Sequence, residues 1–399
     1  MPRRLTKTVP KYHTHKKNAV LQYRTISGTL GLSTFKQAVR GDQGMITVTG
    51  FGRSGDKDIQ SITITNANGM AARLITFGAR LTELWVPGSD GVLDDVVLGF
   101  DSIAEYEATN TYFGATCGRY GNRIPRGHVI IDGSEYQLDV NEGKNHLHGG
   151  RAGFDRKIWD ASYDPAGTSV TFTSLSEDGE MGFPGRAPLT ATYTLDDANR
   201  LTITMEAETD KVTLMNMVHH TYFNLAGQGS GSVLDQQMRI PAQFYTPVDG
   251  ELLATGEVLA VAGTAFDFRS PKAIGADIAK LEAVGAGIFD EGGGYDHNWC
   301  LAGVGHDLRE GCEVYDPKSG RRMKMLTTEP GLQFYTGGYL SDKVMGKRGK
   351  ALCKYAGFTL ETQKFPGTPG FAHFPDCILR PGEHYRQRMV FEFSADAKS

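Results

Sequence analysis

From Met45 onward the chain alternates apolar and polar positions over short runs. Ser61-Ile62-Thr63-Ile64-Thr65 does so with period two, and Asn68-Gly69 offers the positive backbone angles that a hairpin turn needs. Val129-Ile130-Ile131 followed by Asp132-Gly133 repeats the signal. Residues 189–195 and 201–207 flank Asp196-Asp197-Ala198-Asn199, with Leu201, Ile203, Met205 and Ala207 on one face, which predicts another antiparallel pair. Helical periodicity is scarce. The best case is 272–284, where Ile274, Ile278, Leu281 and Val284 recur at three- and four-residue steps, and it predicts a short surface connection. Strands that follow one another without long intervening helices argue against a parallel α/β sheet. The expectation is an all-β protein, a large antiparallel β-sandwich with few short helices, running as a single domain over 45–399.

Composition supports the pattern. Fifty glycines among 399 residues exceed the usual share of about 7%, as many turns would require. Lys and Arg total 42 against 46 Asp and Glu, a net charge of −4, so neither nucleic acid nor an anionic membrane is an expected partner. A small neutral molecule fits better. No apolar run approaches the length of a bilayer span. Five cysteines, an odd number with no CxxC pair, suggest a reducing compartment such as the cytoplasm. Residues 1–40 hold nine basic residues and no acidic one, without the apolar stretch of a secretory signal. A transit peptide, a disordered tail and an upstream start would each suit 1–44; a tail outside the fold is preferred.

Several short runs could carry chemistry. Val218-His219-His220-Thr221-Tyr222-Phe223-Asn224 puts two histidines on a strand, where only one can face a given pocket. Asn122-Arg123, within Gly118-Arg119-Tyr120-Gly121-Asn122-Arg123-Ile124, offers several fixed donors, as binding of sugar hydroxyls would need. In Asn145-His146-Leu147-His148-Gly149-Gly150 the alternating histidines are expected on one face, and the glycines let backbone approach a ligand. A metal held by that His-x-His pair is a minor alternative, because nothing nearby supplies the remaining ligands. Gly294-Tyr295-Asp296-His297-Asn298 and Pro330-Gly331-Leu332-Gln333-Phe334 mix aromatic with acid and amide groups. In Phe358-Thr359-Leu360-Glu361-Thr362-Gln363 the carboxylate leaves the strand opposite the apolar pair, where a solvated charge is the ordinary reading.

Taken in order, these runs resemble the aldose 1-epimerase family, the galactose mutarotases. The resemblance covers Gly118 to Tyr385 and includes Gly153-Phe154-Asp155 and Glu361-Thr362-Gln363-Lys364-Phe365-Pro366. It implies a large antiparallel β-sandwich. It also implies His220 as general acid, Glu361 as general base, and Asn122, Arg123, His148, Asp296 and Gln333 as the residues that hold the sugar. Many members carry Asn where this chain has His219; His220 is preferred because it directly precedes Thr-Tyr-Phe-Asn-Leu. Interconverting anomers requires a proton to leave the anomeric hydroxyl and another to reach the ring oxygen, with no cofactor. At unperturbed values near 4.3 and 6.5, Glu361 would be ionised and His220 able to carry the proton. The expected partner is a free hexose such as galactose or glucose, bound by a monomer or homodimer. A sugar-binding protein without catalysis, a glycoside hydrolase using Asp296 and Glu361, and an epimerase for phosphorylated sugars are the alternatives.

Overall fold

The structure, a computed structural model, describes residues 45–281, 293–303 and 305–397; the basic extension 1–44 and the end of the expected 272–284 helix lie outside them. Three larger sheets carry the fold. The first is a five-stranded meander of Met45–Ser54, Lys57–Thr65, Ala71–Ile75, Arg80–Pro87 and Leu93–Asp95 in chain order. The second has nine strands: Asp160–Tyr163, Ser169–Ser176, Ala187–Leu195, Arg200–Ala207, Tyr385–Ala395, Arg321–Thr327, Arg309–Tyr315, Gln237–Arg239 and Lys272–Ala273. The third has six: Tyr222–Phe223, Phe358–Gln363, Gly331–Tyr335, Asp296–Cys300, Phe244–Thr246 and Leu259–Ala260. Neighbours within each are antiparallel.

The alternation read from the sequence decides what is buried. In Ala187–Leu195, Leu189, Ala191, Tyr193 and Leu195 point inward and the intervening threonines are half exposed. One hydrophobic core draws Ile62 and Leu74 from the first sheet, Phe172, Met205 and Phe391 from the second, and Trp299, Phe334 and Phe358 from the third. Burying such side chains is the main drive to stack sheets into a sandwich. The predicted hairpins form. Leu195 faces Leu201 across its turn, and at the tip joining His128–Ile131 to Ser134–Gln137, Asp132 and Gly133 both have positive φ, 47° and 79°.

Two local expectations change. Residues 272–284 do not begin an α-helix: Lys272–Ala273 is a strand and Ile274–Lys280 a 3-10 helix. Its first two N–H groups, free of any intrahelical acceptor, are held by another segment: Ile274 N–H donates to the carbonyl of Gln236 and that of Gly275 to Leu234. Among the described residues an α-helix does form at Ile103–Ala108, started by a capping box in which Glu105 accepts the N–H of Ser102 at 2.9 Å. Among the described residues no helix is long and apolar enough to cross a membrane. All five cysteines are free thiols.

Candidate active site

Three strands of the six-stranded sheet make the floor. Asn298 faces Gln333, and Gln333 faces Glu361, so the three side chains form one row across Asp296–Cys300, Gly331–Tyr335 and Phe358–Gln363. Asp296 lies on the same face as Asn298, two residues away. The opposite face of these strands carries Trp299, Leu332, Phe334, Phe358 and Leu360 into the core. The period-two pattern thus anchors the strands with one set of side chains and presents acids and amides with the other. Those polar groups are tied together: Gln333 Nε2 donates to Asp296 Oδ1 at 2.7 Å, and Gln363 Nε2 to Gln333 Oε1 at 3.1 Å. Thr359 Oγ1 donates to Glu361 Oε1 at 2.9 Å and fixes one carboxylate oxygen.

The histidine strand Val218–His220 pairs with Ala115–Cys117 and sends its two imidazoles in opposite directions. His219 turns to structure: its Nε2 is 2.6 Å from Thr221 Oγ1, and its ring meets Tyr193 edge-on. His220 turns to the floor, with Nε2 3.4 Å from Glu361 Oε1. Around it stand Tyr112, His148 and Tyr222, their ring centroids 5.5, 5.0 and 5.2 Å away. His220 Nδ1 and Glu361 Oε2 are buried without a protein hydrogen-bond partner among the described residues. Buried polar atoms are nearly always paired, so Glu361 Oε2 is available to a ligand's hydroxyl.

Asn122 and Arg123 form the side wall. Asn122, at φ 64°, folds its Oδ1 onto the Arg123 N–H at 2.8 Å and gives its own N–H to His148 Nδ1 at 3.3 Å. Arg123 Nη1 lies 3.8 Å from Asp296 Oδ2. All seven residues expected from the sequence are therefore linked in one cluster, from Asn122 through His148, His220 and Glu361 to Gln333, Asp296 and Arg123. The two histidines of His-x-His behave differently from expectation. The strand there is only His146–Leu147, and His148 takes φ 50°, which breaks the alternation. His146 Nδ1 sits 2.7 Å from the Asp139 carbonyl oxygen, and its ring packs on Phe183, so it does not join His148 as a chelating pair. Gly149 does serve a close approach, but to protein: an added Cβ would fall 1.8 Å from the Gly118 carbonyl oxygen.

Charge follows burial. Glu361 is pushed up to about 8, first by desolvation and then by Asp296, with Thr359 and Arg123 pulling the other way. Desolvation pushes His220 down to about 3. The resting pair at neutral pH is an imidazole and a carboxylic acid, rather than the ionised Glu361 beside a histidine able to carry the proton that unperturbed values imply. Burial also raises Asp296, against the pull of Arg123, and it lowers His148.

Sequence reading misses Glu142, Tyr112 and Thr359. Glu142 accepts from Arg123 Nε at 2.7 Å and from Nη2 at 2.6 Å, yet it lies in an ordinary polar turn. Tyr112 ends an ordinary polar stretch, Thr109-Asn110-Thr111, and its φ of 56° and its contact with His148 at 4.8 Å mark it. Thr359 does carry a signal, its spacing of two from Glu361 on a strand. Among the described residues, ligand atoms of His148, His220 and Glu361 lie within 4.8 Å of one another, close enough to consider a cation. Their surroundings fit one poorly: His148 Nδ1 accepts from Asn122, which leaves the proton on Nε2, and His220 Nδ1 lacks the outer partner that orients a metal-bound imidazole.

Known proteins are similar to this chain in sequence and fold. The family described as Aldose 1-epimerase matches residues 60–392. The galactose mutarotase of Bos taurus is 41% identical over 321 residues, covering 80% of this chain and 90% of its own. The aldose 1-epimerase of Escherichia coli K12 is 35% identical over 341 residues, 84% of this chain and 95% of that one. The crystal structure of galactose 1-epimerase from Lactobacillus acidophilus superposes with a TM-score of 0.75 at 30% identity, over 88% of this chain and 98% of its own. Sequence similarity and antiparallel architecture agree, and the chain belongs to the aldose 1-epimerase family of isomerases.

Proposed function

We propose that this protein interconverts the α and β anomers of free hexoses, galactose or glucose, with His220 and Glu361 moving the protons. The observation that carries the reading is the 3.4 Å contact between His220 Nε2 and Glu361 Oε1. The anomeric hydroxyl and the ring oxygen are bonded to the same carbon. One adjacent acid–base pair can therefore serve both.

The pair needs one proton and one vacant lone pair. When the proton sits on His220, Glu361 takes the hydrogen of the anomeric hydroxyl while His220 gives its own to the ring oxygen, and the C1–ring oxygen bond breaks to leave an aldehyde. Opening returns the pair to neutral imidazole and carboxylic acid, the state that burial favours. Rotation about the C1–C2 bond presents the other carbonyl face, and the same transfers run backwards on closure. Asn122, Arg123, His148, Asp296 and Gln333 hold the hydroxyls, and Arg123 adds the positive charge that steadies the developing oxyanion. Each proton-transfer group is worth about 10²–10⁴-fold. Polarimetry of fresh α-galactose and α-glucose tests this directly: His220→Ala and Glu361→Gln should each lower the catalysed rate at least about a hundredfold while sugar binding persists. Undiminished catalysis in either variant refutes the assignment.

A further inference from the structure

Arg123 is enclosed, and its guanidinium is divided between two carboxylates. Nε and Nη2 face Glu142, whose Oε2 and Oε1 accept at 2.7 and 2.6 Å in a two-pronged fork. Nη1 is turned the other way, toward Asp296 Oδ2 at 3.8 Å. Glu142 is itself anchored, since its backbone N–H donates to the Asn145 carbonyl at 3.0 Å and its carbonyl accepts from Asn145 at 2.7 Å. The strand Arg123–Ile124 pairs with His146–Leu147 just beyond. Both halves of the fork therefore hang from one small paired unit.

We propose that Glu142 is a positioning residue of this active site: it holds the Arg123 guanidinium so that only the Nη1 edge faces Asp296 and the sugar, and it offsets the Arg123 charge beside Glu361. This rests on the reading of Arg123 as a sugar-holding group. Glu142 reaches no reacting atom in this arrangement, so its effect passes through the arginine. Burial pushes the Arg123 guanidinium down, and Glu142, with a smaller pull from Asp296, raises it above its ordinary value, so it stays charged. The groups facing the Glu361 carboxyl are His220, His148, Asp296, Arg123, Tyr222 and Cys117. Arg123 is the cation among them that favours the ionised carboxylate, so losing the Glu142 charge strengthens its pull.

The test is Glu142→Gln, which keeps the shape and removes the charge, read beside Glu142→Asp and Arg123→Lys. Glu142→Gln should raise KM for galactose about tenfold to a hundredfold, as a misplaced binding group does, with a smaller change in kcat. The alkaline fall of its kcat/KM should move to lower pH, whereas Glu142→Asp, which retains the charge, should keep that fall where the wild type has it. A merely structural role would lower the melting temperature and leave both KM and the pH profile unchanged, and that result overturns the proposal. If Arg123→Lys raises KM while Glu142→Gln does not, the positioning role fails alone. If neither moves KM, the reading of Arg123 fails as well.

Discussion

At the scale of single residues, burial decides the proton count of the proposed His220–Glu361 pair. In water, carboxylates titrate near 4 and imidazoles near 6.5, and the sequence supports only those values. In the folded protein Glu361 rises to about 8 and His220 falls to about 3, so from about 3 to about 8 the pair holds one proton. The sign follows: as pH rises through about 8 that proton leaves, and nothing remains to deliver to the ring oxygen. After subtraction of spontaneous mutarotation, kcat/KM should stay level through neutral pH and then fall about tenfold per unit above about 8, the signature of one essential acid in the free enzyme. A break near 6.5 instead would mean that an unperturbed imidazole controls the rate. His220 and Glu361 were legible as candidates because each sits in a recognisable run. Their protonation was not, because it depends on Asp296 and on desolvation by side chains remote in the chain.

At the scale of elements, the alternation of strands was readable and its interruptions were not. Phe358 and Leu360 enter the core and Glu361 takes the other face, as their spacing dictates. The Asn145 to Gly150 run fails the same rule because His148 leaves the strand at positive φ, where its N–H donates to the Asn122 carbonyl and its Nδ1 accepts the Asn122 N–H. Gly149 shows the cost of that contact. It has φ 92°, and a Cβ there would meet the Gly118 carbonyl oxygen at 1.8 Å, whereas Gly133, at φ 79°, has nothing within 4 Å. Gly133→Ala should lose only the backbone strain, about 1–3 kcal/mol. Gly149→Ala should lose more and should depress mutarotase activity too, because it pushes the Asn122 and His148 elements apart. Calorimetric melting of the two variants checks this, and equal losses would refute the close-approach argument. The short helix Ile103–Ala108 could have been found from Ser102 and Glu105. The 3-10 turn at 274–280 could not, since its first two residues are anchored to Leu234 and Gln236 from another part of the chain.

For the whole molecule, the last strand matters most. Tyr385–Ala395 lies in the middle of the nine-stranded sheet, paired with Arg200–Ala207 on one side and Arg321–Thr327 on the other. We propose that residues 45–399 form one catalytic unit that does not need residues 1–44. A chain starting at Met45 should fold and keep its kcat/KM, while one lacking 385–399 should aggregate, because two long strands would each be left with an open edge. Circular dichroism and polarimetry on the two truncations decide both points, and loss of activity on removing 1–44 would refute the proposal.

By itself the sequence determined the strand class, the hairpins and the order of the motifs, because turn residues and period-two alternation act over a few neighbouring positions. Tertiary structure decided which motifs meet, which of two adjacent histidines turns to the carboxylate, and where one proton rests between them. Those outcomes depend on strand register and on the exclusion of water, which arise only when distant segments pack.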